Sequence, residues 1–226
     1  MVYIIGDSHV SIFSGVDTRN DGKIHIQPEY GYCYTFKDGE MITLRPRNEF
    51  INNIPNVIPI KMGSHTAYNL LTKLDKLNII IDDYNIGNGD TLLLCFGEID
   101  IRAHIGFKES IGDAITECVD RYVSVIEELK GNGFKVGVFA PYASLPNELT
   151  YNVGQNYGNS QTRNKMTTTF NHYLKQRMGE LGMKFIDIHH LMLNEDYSSN
   201  KIYFKDNIHA SKEVLPFIIE ALKELI

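Results

Sequence analysis

The chain has 226 residues, a length that suits one large α/β domain, since single hydrophobic cores stop growing near ~250–300 residues. Hydrophobic residues make up 43% and charged residues 22%, which excludes a disordered, collagen-like or coiled-coil chain. With 22 Lys and Arg against 28 Asp and Glu the net charge is -6, so there is no broad basic surface for nucleic acid, and 3 cysteines without a C-x-x-C pair suggest neither a disulfide framework nor a cysteine zinc site.

In chain order, Val2–Ile5 is a short apolar run with the composition of a strand buried on both faces. The stretch before Gly6 has neither a basic n-region nor a long apolar one, and nothing approaches the ~18 apolar residues of a membrane span, so a cytoplasmic address and no membrane span are expected. From about Asp17 to Asn56 the alternation fails. There Lys23–Gln27 and Met41–Leu44 are expected to form a β-hairpin, with Lys37-Asp38-Gly39 as turn material, inserted beside the core. Val57–Met62 is a weaker strand, interrupted by Pro59, which suits an edge or a strand start.

A helix follows over Thr66–Leu77, then a strand over Thr91–Phe96. The next helix, Ser110–Lys130, carries an apolar stripe of Ile111, Ile115, Cys118, Tyr122, Val125, Ile126 and Leu129, and Gly131-Asn132-Gly133 stops it. Phe134–Ala140 and Met183–Ile188 read as further buried strands, with a helix over Gln161–Leu181 between them. The block from Asn147 to Ser160, dense in Asn, Gly and Tyr, reads as a long loop. The last helix spans Ser211–Ile226, with Ser211 as N-cap. The order predicts one three-layer α/β/α sandwich over residues 1–226, with an open, mostly parallel, flavodoxin-like sheet of about five strands and the first strand central.

Chemistry concentrates at the two ends. The first strand runs into Gly6-Asp7-Ser8-His9, where glycine permits a sharp exit that seats a serine hydroxyl beyond the C-terminal edge of a parallel sheet. Taken alone, Asp7 and Ser8 read most simply as caps of a turn. Near the other end, Asp206-Asn207-Ile208-His209 has a D-x-x-H spacing that lets a carboxylate orient one imidazole nitrogen while the other faces outward. A serine turn after the first strand and an orienter-base pair before the last helix are much less expected together than apart, and serine needs such a base.

These residues resemble the blocks of the SGNH, or GDSL, hydrolase superfamily: Gly6-Asp7-Ser8 first and Asp206/His209 last. Gly63 and Gly97-Glu98-Ile99-Asp100 stand where the intermediate glycine and G-x-N-D blocks would. The resemblance implies Ser8 as nucleophile, His209 as base, Asp206 as its orienter, and the amides of Ser8 and Gly63 as oxyanion donors. One block departs. The family's third-block asparagine, a side-chain oxyanion donor, falls on Ile99, which has no hydrogen to donate. The run Gly97–His104 is similar to a superfamily variant associated with surface-polysaccharide biosynthesis.

Arg102 is a candidate for an oxyanion or for an anionic substrate group, and Glu98, Asp100 and His104 are candidates beside it. An ion-pair network at the strand end explains the charged residues equally well. His65 and His9 are candidates to line the pocket, although exposed loop histidines are the commoner outcome, and Tyr142 suits either sugar stacking or a loop anchor. Ser64 competes weakly as nucleophile, and the adjacent His189-His190 point in different directions, so no metal site is expected.

The expected activity is serine-dependent hydrolysis of an acetyl or similar short acyl ester on a small-molecule or glycan substrate, with no cofactor. One alternative is an O-acyltransferase of glycan synthesis with the same triad, drawing on acetyl-CoA or another acyl donor. A second, motivated by Ile99, is a glycan-binding pseudoenzyme.

Overall fold

The computed structural model describes residues 1–14, 33–37, 40–44, 54, 56–63, 65–146, 156–204 and 209–226. Strand β1 (Val2–Gly6) is buried along its whole length, as its unbroken apolar run requires. It lies in the middle of a seven-stranded sheet of order β3-β2-β4-β1-β5-β6-β7, where β2 is Cys33–Lys37, β3 Glu40–Leu44, β4 Val57–Lys61, β5 Thr91–Cys95, β6 Lys135–Phe139 and β7 Lys184–Ile186. From β4 through β7 all neighbours are parallel. The five parallel strands match the expected α/β sheet. Strand order reverses at β1, whose sheet neighbours β4 and β5 lie on its two sides, and such a reversal opens a crevice beyond the carboxyl ends.

Alternate residues serve opposite faces. Tyr3 and Ile5 pack with Leu92, Leu94 and Val138 under helices α1 (Ala67–Leu70), α2 (Leu74–Asp83), α4 (Ile111–Gly131) and α5 (Ser160–Glu180). Val2 and Ile4 face the other way, joining Leu93 and Phe139 with Val10, Phe13 and helix α6 (Leu215–Leu222). Two covered faces make the three layers.

Several boundaries differ from expectation for identifiable reasons. The helix expected over Thr66–Leu77 is split: Thr66 and Asn69 close a capping box on α1, a 3-10 turn covers Leu71–Lys73, and α2 continues to Asp83. The C-terminal helix starts with a 3-10 turn at Lys212–Val214, capped by Ser211, because Pro216 suits only a first helical turn. Glu98–Ala103, expected as a strand-end run, forms the short helix α3.

The hairpin is also corrected. The antiparallel partner of β3 is Cys33–Lys37, not Lys23–Gln27, which with Asp38 and Gly39 lies outside the described residues. The pair extends the sheet from β4 through Cys33↔Lys61, the one described β2–β4 pair, so the β2 ladder makes no demand on Pro59 for an amide hydrogen.

Gly6 ends β1 against its neighbour: a Cβ there would stand 2.2 Å from the Cys95 carbonyl oxygen and 2.6 Å from a Val10 methyl. Gly6→Ala is expected to destabilise the protein by at least about 3 kcal/mol, because the clash is with backbone. A urea midpoint equal to wild type would contradict this.

Candidate active site

Beyond Gly6 the chain turns into a 3-10 helix over Ser8–Ser14, with Ser8 half-buried at its start. Asp7 fixes that turn by accepting two bonds through Oδ1, from the His9 amide at 2.8 Å and in contact with His9 Nδ1 at 2.6 Å. The other ring nitrogen, Nε2, lies 3.4 Å from Glu98 Oε2, an ion-pair distance without hydrogen-bond alignment. Arg102 Nε donates to both oxygens of Glu98, at 2.8 and 3.1 Å, and its guanidinium also donates to Asn156 Oδ1 at 3.1 Å. Asp7, His9, Glu98 and Arg102 are 1%, 3%, 6% and 7% exposed. Such depth is tolerable because the two carboxylates are paired with the Arg102 guanidinium and the His9 ring. Burial alone would favour a neutral His9, but Asp7 and then Glu98 outweigh it and raise the pKa.

His9 is therefore neither an exposed loop histidine nor a ring lining an open pocket, but the centre of a buried network. Arg102, expected as a pocket cation, spends its Nε on Glu98, in the manner of the ion-pair alternative. The sequence placed these groups near one another but held no sign that His9 would bridge them.

His209, from the far end of the chain, has its ring centroid 5.6 Å from that of His9 with a 44° tilt. Its segment is anchored by the Phe204↔Ala210 bridge and by the Ser211 amide donating to the Tyr203 carbonyl at 2.8 Å. Asp206 and Ser64 lie outside the described residues. Gly63 adopts φ 73°, a conformation that favours glycine, two residues past Lys61, the register partner of Gly6. Ser8 and Gly63 thus stand equally far beyond the sheet edge. Ile99 is half-buried in the first turn of α3.

The remaining candidates are dispersed. Tyr142 is 2% exposed and packs edge-on to His9 at 5.2 Å, which fits a loop anchor and leaves no free ring face for a sugar. Half-buried His65 bonds to the Met62 backbone; burial, with Lys76 and Lys73, moves its pKa down against that bond. His104 is exposed at the edge of a separate groove. Buried His189 donates its amide to Asp187 at 2.8 Å, and burial pushes its ring pKa down to about 4. Among the described residues, no group of three or more His, Cys, Asp or Glu is placed to hold a metal, and no helix is long and apolar enough to cross a membrane.

Asp100 serves α1 rather than the serine, accepting the amides of Ala67 at 2.8 Å and Tyr68 at 3.2 Å. Burial raises its pKa to about 6 against these bonds and one from Thr66. The folded form holds its proton more tightly than the unfolded chain, so this stabilisation is complete below the ordinary value of 3.8 and disappears as pH rises through about 6. Between pH 4 and 7, wild type should lose more stability in urea unfolding than Asp100→Asn. Parallel curves would refute the assignment.

Sequence reasoning missed Arg163, which is 0% exposed. It donates to Ser144 Oγ at 2.8 Å and to the carbonyls of Leu145 at 3.0 Å, Tyr157 at 3.0 Å and Gly158 at 2.6 Å. Asn171 adds a bond to the Pro141 carbonyl at 2.9 Å, and Ser144 donates its amide to Asn164 at 2.9 Å. The signal was the spacing of Arg163, Thr167, Phe170 and Leu174, an inward helical stripe whose N-terminal half is polar.

No protein-family model matches the sequence, and no curated protein does. Solved structures do. The chain is similar to a protein proposed as an acylhydrolase from Bacteroides fragilis, at TM-score 0.64 and 16% identity over 99% of this chain and 84% of that one. A GDSL-like lipase from Bacteroides thetaiotaomicron follows at TM-score 0.58 and 13% identity, covering 99% and 85%. Axe2, an acetylxylan esterase from Geobacillus stearothermophilus, superposes at TM-score 0.55 and 12% identity, covering 99% and 93%. With its parallel sheet, its β1 exit and the ends of the chain meeting at His9 and His209, this protein has the fold of the SGNH/GDSL hydrolases.

Proposed function

We propose that the protein is a serine-dependent acyl ester hydrolase acting on acetyl or similarly short esters of carbohydrates. The observation that carries the reading is the 5.6 Å approach of the His209 ring to that of His9, the residue after Ser8. Ser8 Oγ attacks the ester carbonyl while His209 takes its proton, and the amides of Ser8 and Gly63 receive the oxyanion. Collapse breaks the bond to the sugar oxygen, which leaves with the proton from His209. Water, deprotonated by His209, then attacks the acyl-serine, and collapse releases the carboxylic acid and restores Ser8. Asp206 orients His209 throughout.

Beneath the serine, the buried Asp7–His9–Glu98–Arg102 cluster holds the turn rigid, which keeps the nucleophile in register with its base. The carbohydrate part of the reading is supported by the acetylxylan esterases among the similar folds.

A fluorophosphonate probe tests the nucleophile directly. Wild type should be labelled at one site and Ser8→Ala should not. If wild type neither labels nor hydrolyses p-nitrophenyl acetate above the Ser8→Ala background, the hydrolase reading fails and the non-catalytic one replaces it.

A further inference from the structure

A groove of about 720 Å³ runs between α1, the turn after α3 and the first half of α4. That size falls in the range of small-molecule sites, ~300–1,000 Å³. Two aromatic rings lining it are unusually open, Tyr68 at 42% and Phe107 at 51% exposed. Both are braced by neighbouring groups. Arg121 stacks its guanidinium 4.3 Å from the Tyr68 ring centroid and donates from Nε to the Tyr68 carbonyl at 2.9 Å. The Tyr68 hydroxyl is fixed by donation to Glu117 at 2.8 Å. Phe107 packs edge-on against Tyr157 at 5.4 Å, and Tyr157 is in turn held by its amide on the Arg102 carbonyl at 2.9 Å. Gly106 makes room for that ring, since a Cβ there would lie 2.1 Å from it. Two open apolar faces held in place before any ligand arrives have already paid their ordering entropy.

Between the rings the lining is polar, with Asn69, Ser110, Asp113 and Glu117 offering oxygens to hydroxyl donors. Acidic groups outnumber the single lysine, Lys108, which disfavours an anionic ligand. Ring faces that stack on C–H surfaces, together with oxygens that accept hydroxyl hydrogens, suit a neutral polyhydroxylated chain. The groove and the reaction site share chain segments: Thr66 lies three residues after Gly63, and α3 carries Glu98 in the buried network and Asp100 in the groove wall.

We propose that this groove binds a neutral oligosaccharide and carries the glycan part of the substrate, with Tyr68 and Phe107 as its stacking platforms; naming it as substrate rests on the hydrolase reading above.

Calorimetric titration of the full chain with xylotetraose and with chitotetraose tests this without turnover. At least one should bind wild type, and Tyr68→Ala and Phe107→Ala should each weaken it by about tenfold or more, while Tyr68→Phe keeps the platform and binds within about threefold of wild type. Should Tyr68→Ala fail to fold, Phe107→Ala decides, since that ring is half exposed. The inference is overturned if neither sugar binds, if both alanine variants bind as wild type does, or if tetragalacturonate binds as tightly as the neutral chains. Sugar binding that depends on the rings, without Ser8-dependent hydrolysis, would overturn the hydrolase reading and leave the groove standing.

Discussion

Ser8→Ala should lower kcat for p-nitrophenyl acetate by about 10⁴-fold or more, with little change in KM or in the melting curve. In the proposed mechanism the hydroxyl makes the covalent bond, so nothing else in the turn can supply the step, while a half-buried serine contributes little to packing. His209→Ala should cost nearly as much. Because the two act as one unit, the double variant should fall no further than the worse single one. Additive losses would mean that His209 acts elsewhere than on the serine. Residual rates within about tenfold of wild type in both would sink the mechanism.

Arg163→Met is expected to be the most damaging change away from the serine. Methionine fills much of the space but leaves three carbonyls and the Ser144 hydroxyl without the donor that reaches them. Stranding buried acceptors costs ~1–3 kcal/mol each when they cannot find water, so a loss of about 4 kcal/mol or more is expected, lowering Tm by roughly 8–16 °C in a chain of this size. Arg163→Lys should recover only part, since one ammonium cannot reach acceptors spread over both loops. A loss below about 1 kcal/mol would show that the loops find other partners.

The sheet was legible because both its faces are buried: Val2–Ile5 and Leu92–Phe96 are apolar without interruption, a pattern with few other readings at that length. Helix α4 was equally clear, its stripe falling where expected and Ser110, where the helix was expected to start, capping it. The hairpin was legible only in part: Met41–Leu44 lies in β3 as expected, but its partner was misassigned, because strand pairing depends on cross-strand neighbours rather than on local composition, and the alternation of Tyr34-Thr35-Phe36-Lys37 is too short to stand out. At the site, Gly6, Ser8, Gly63 and His209 stood out because they adjoin strand ends or form spaced motifs.

The His9 network did not stand out. Its charges come from two segments that meet only because β1 and β5 are neighbours, and no periodicity records how deep a charge will sit. Tyr142 left two readings open for the same reason: a tyrosine just past a strand end suits a sugar platform or a loop anchor, and only its buried, edge-on packing against His9 favours the anchor.

The central place of β1 has a consequence for synthesis. Val2 pairs on one side with Val57 and on the other with Thr91, so β1 leaves the ribosome as an apolar segment whose partners have not yet been made. At ~5–20 residues per second it waits several seconds for both. During that interval it is the segment of the nascent chain most exposed to chaperones and to wrong pairing with other chains. His209, which closes the candidate site, is added long after β1, so a chain stalled before it would bury β1 and stack most of the helices while holding Ser8 without its proposed base.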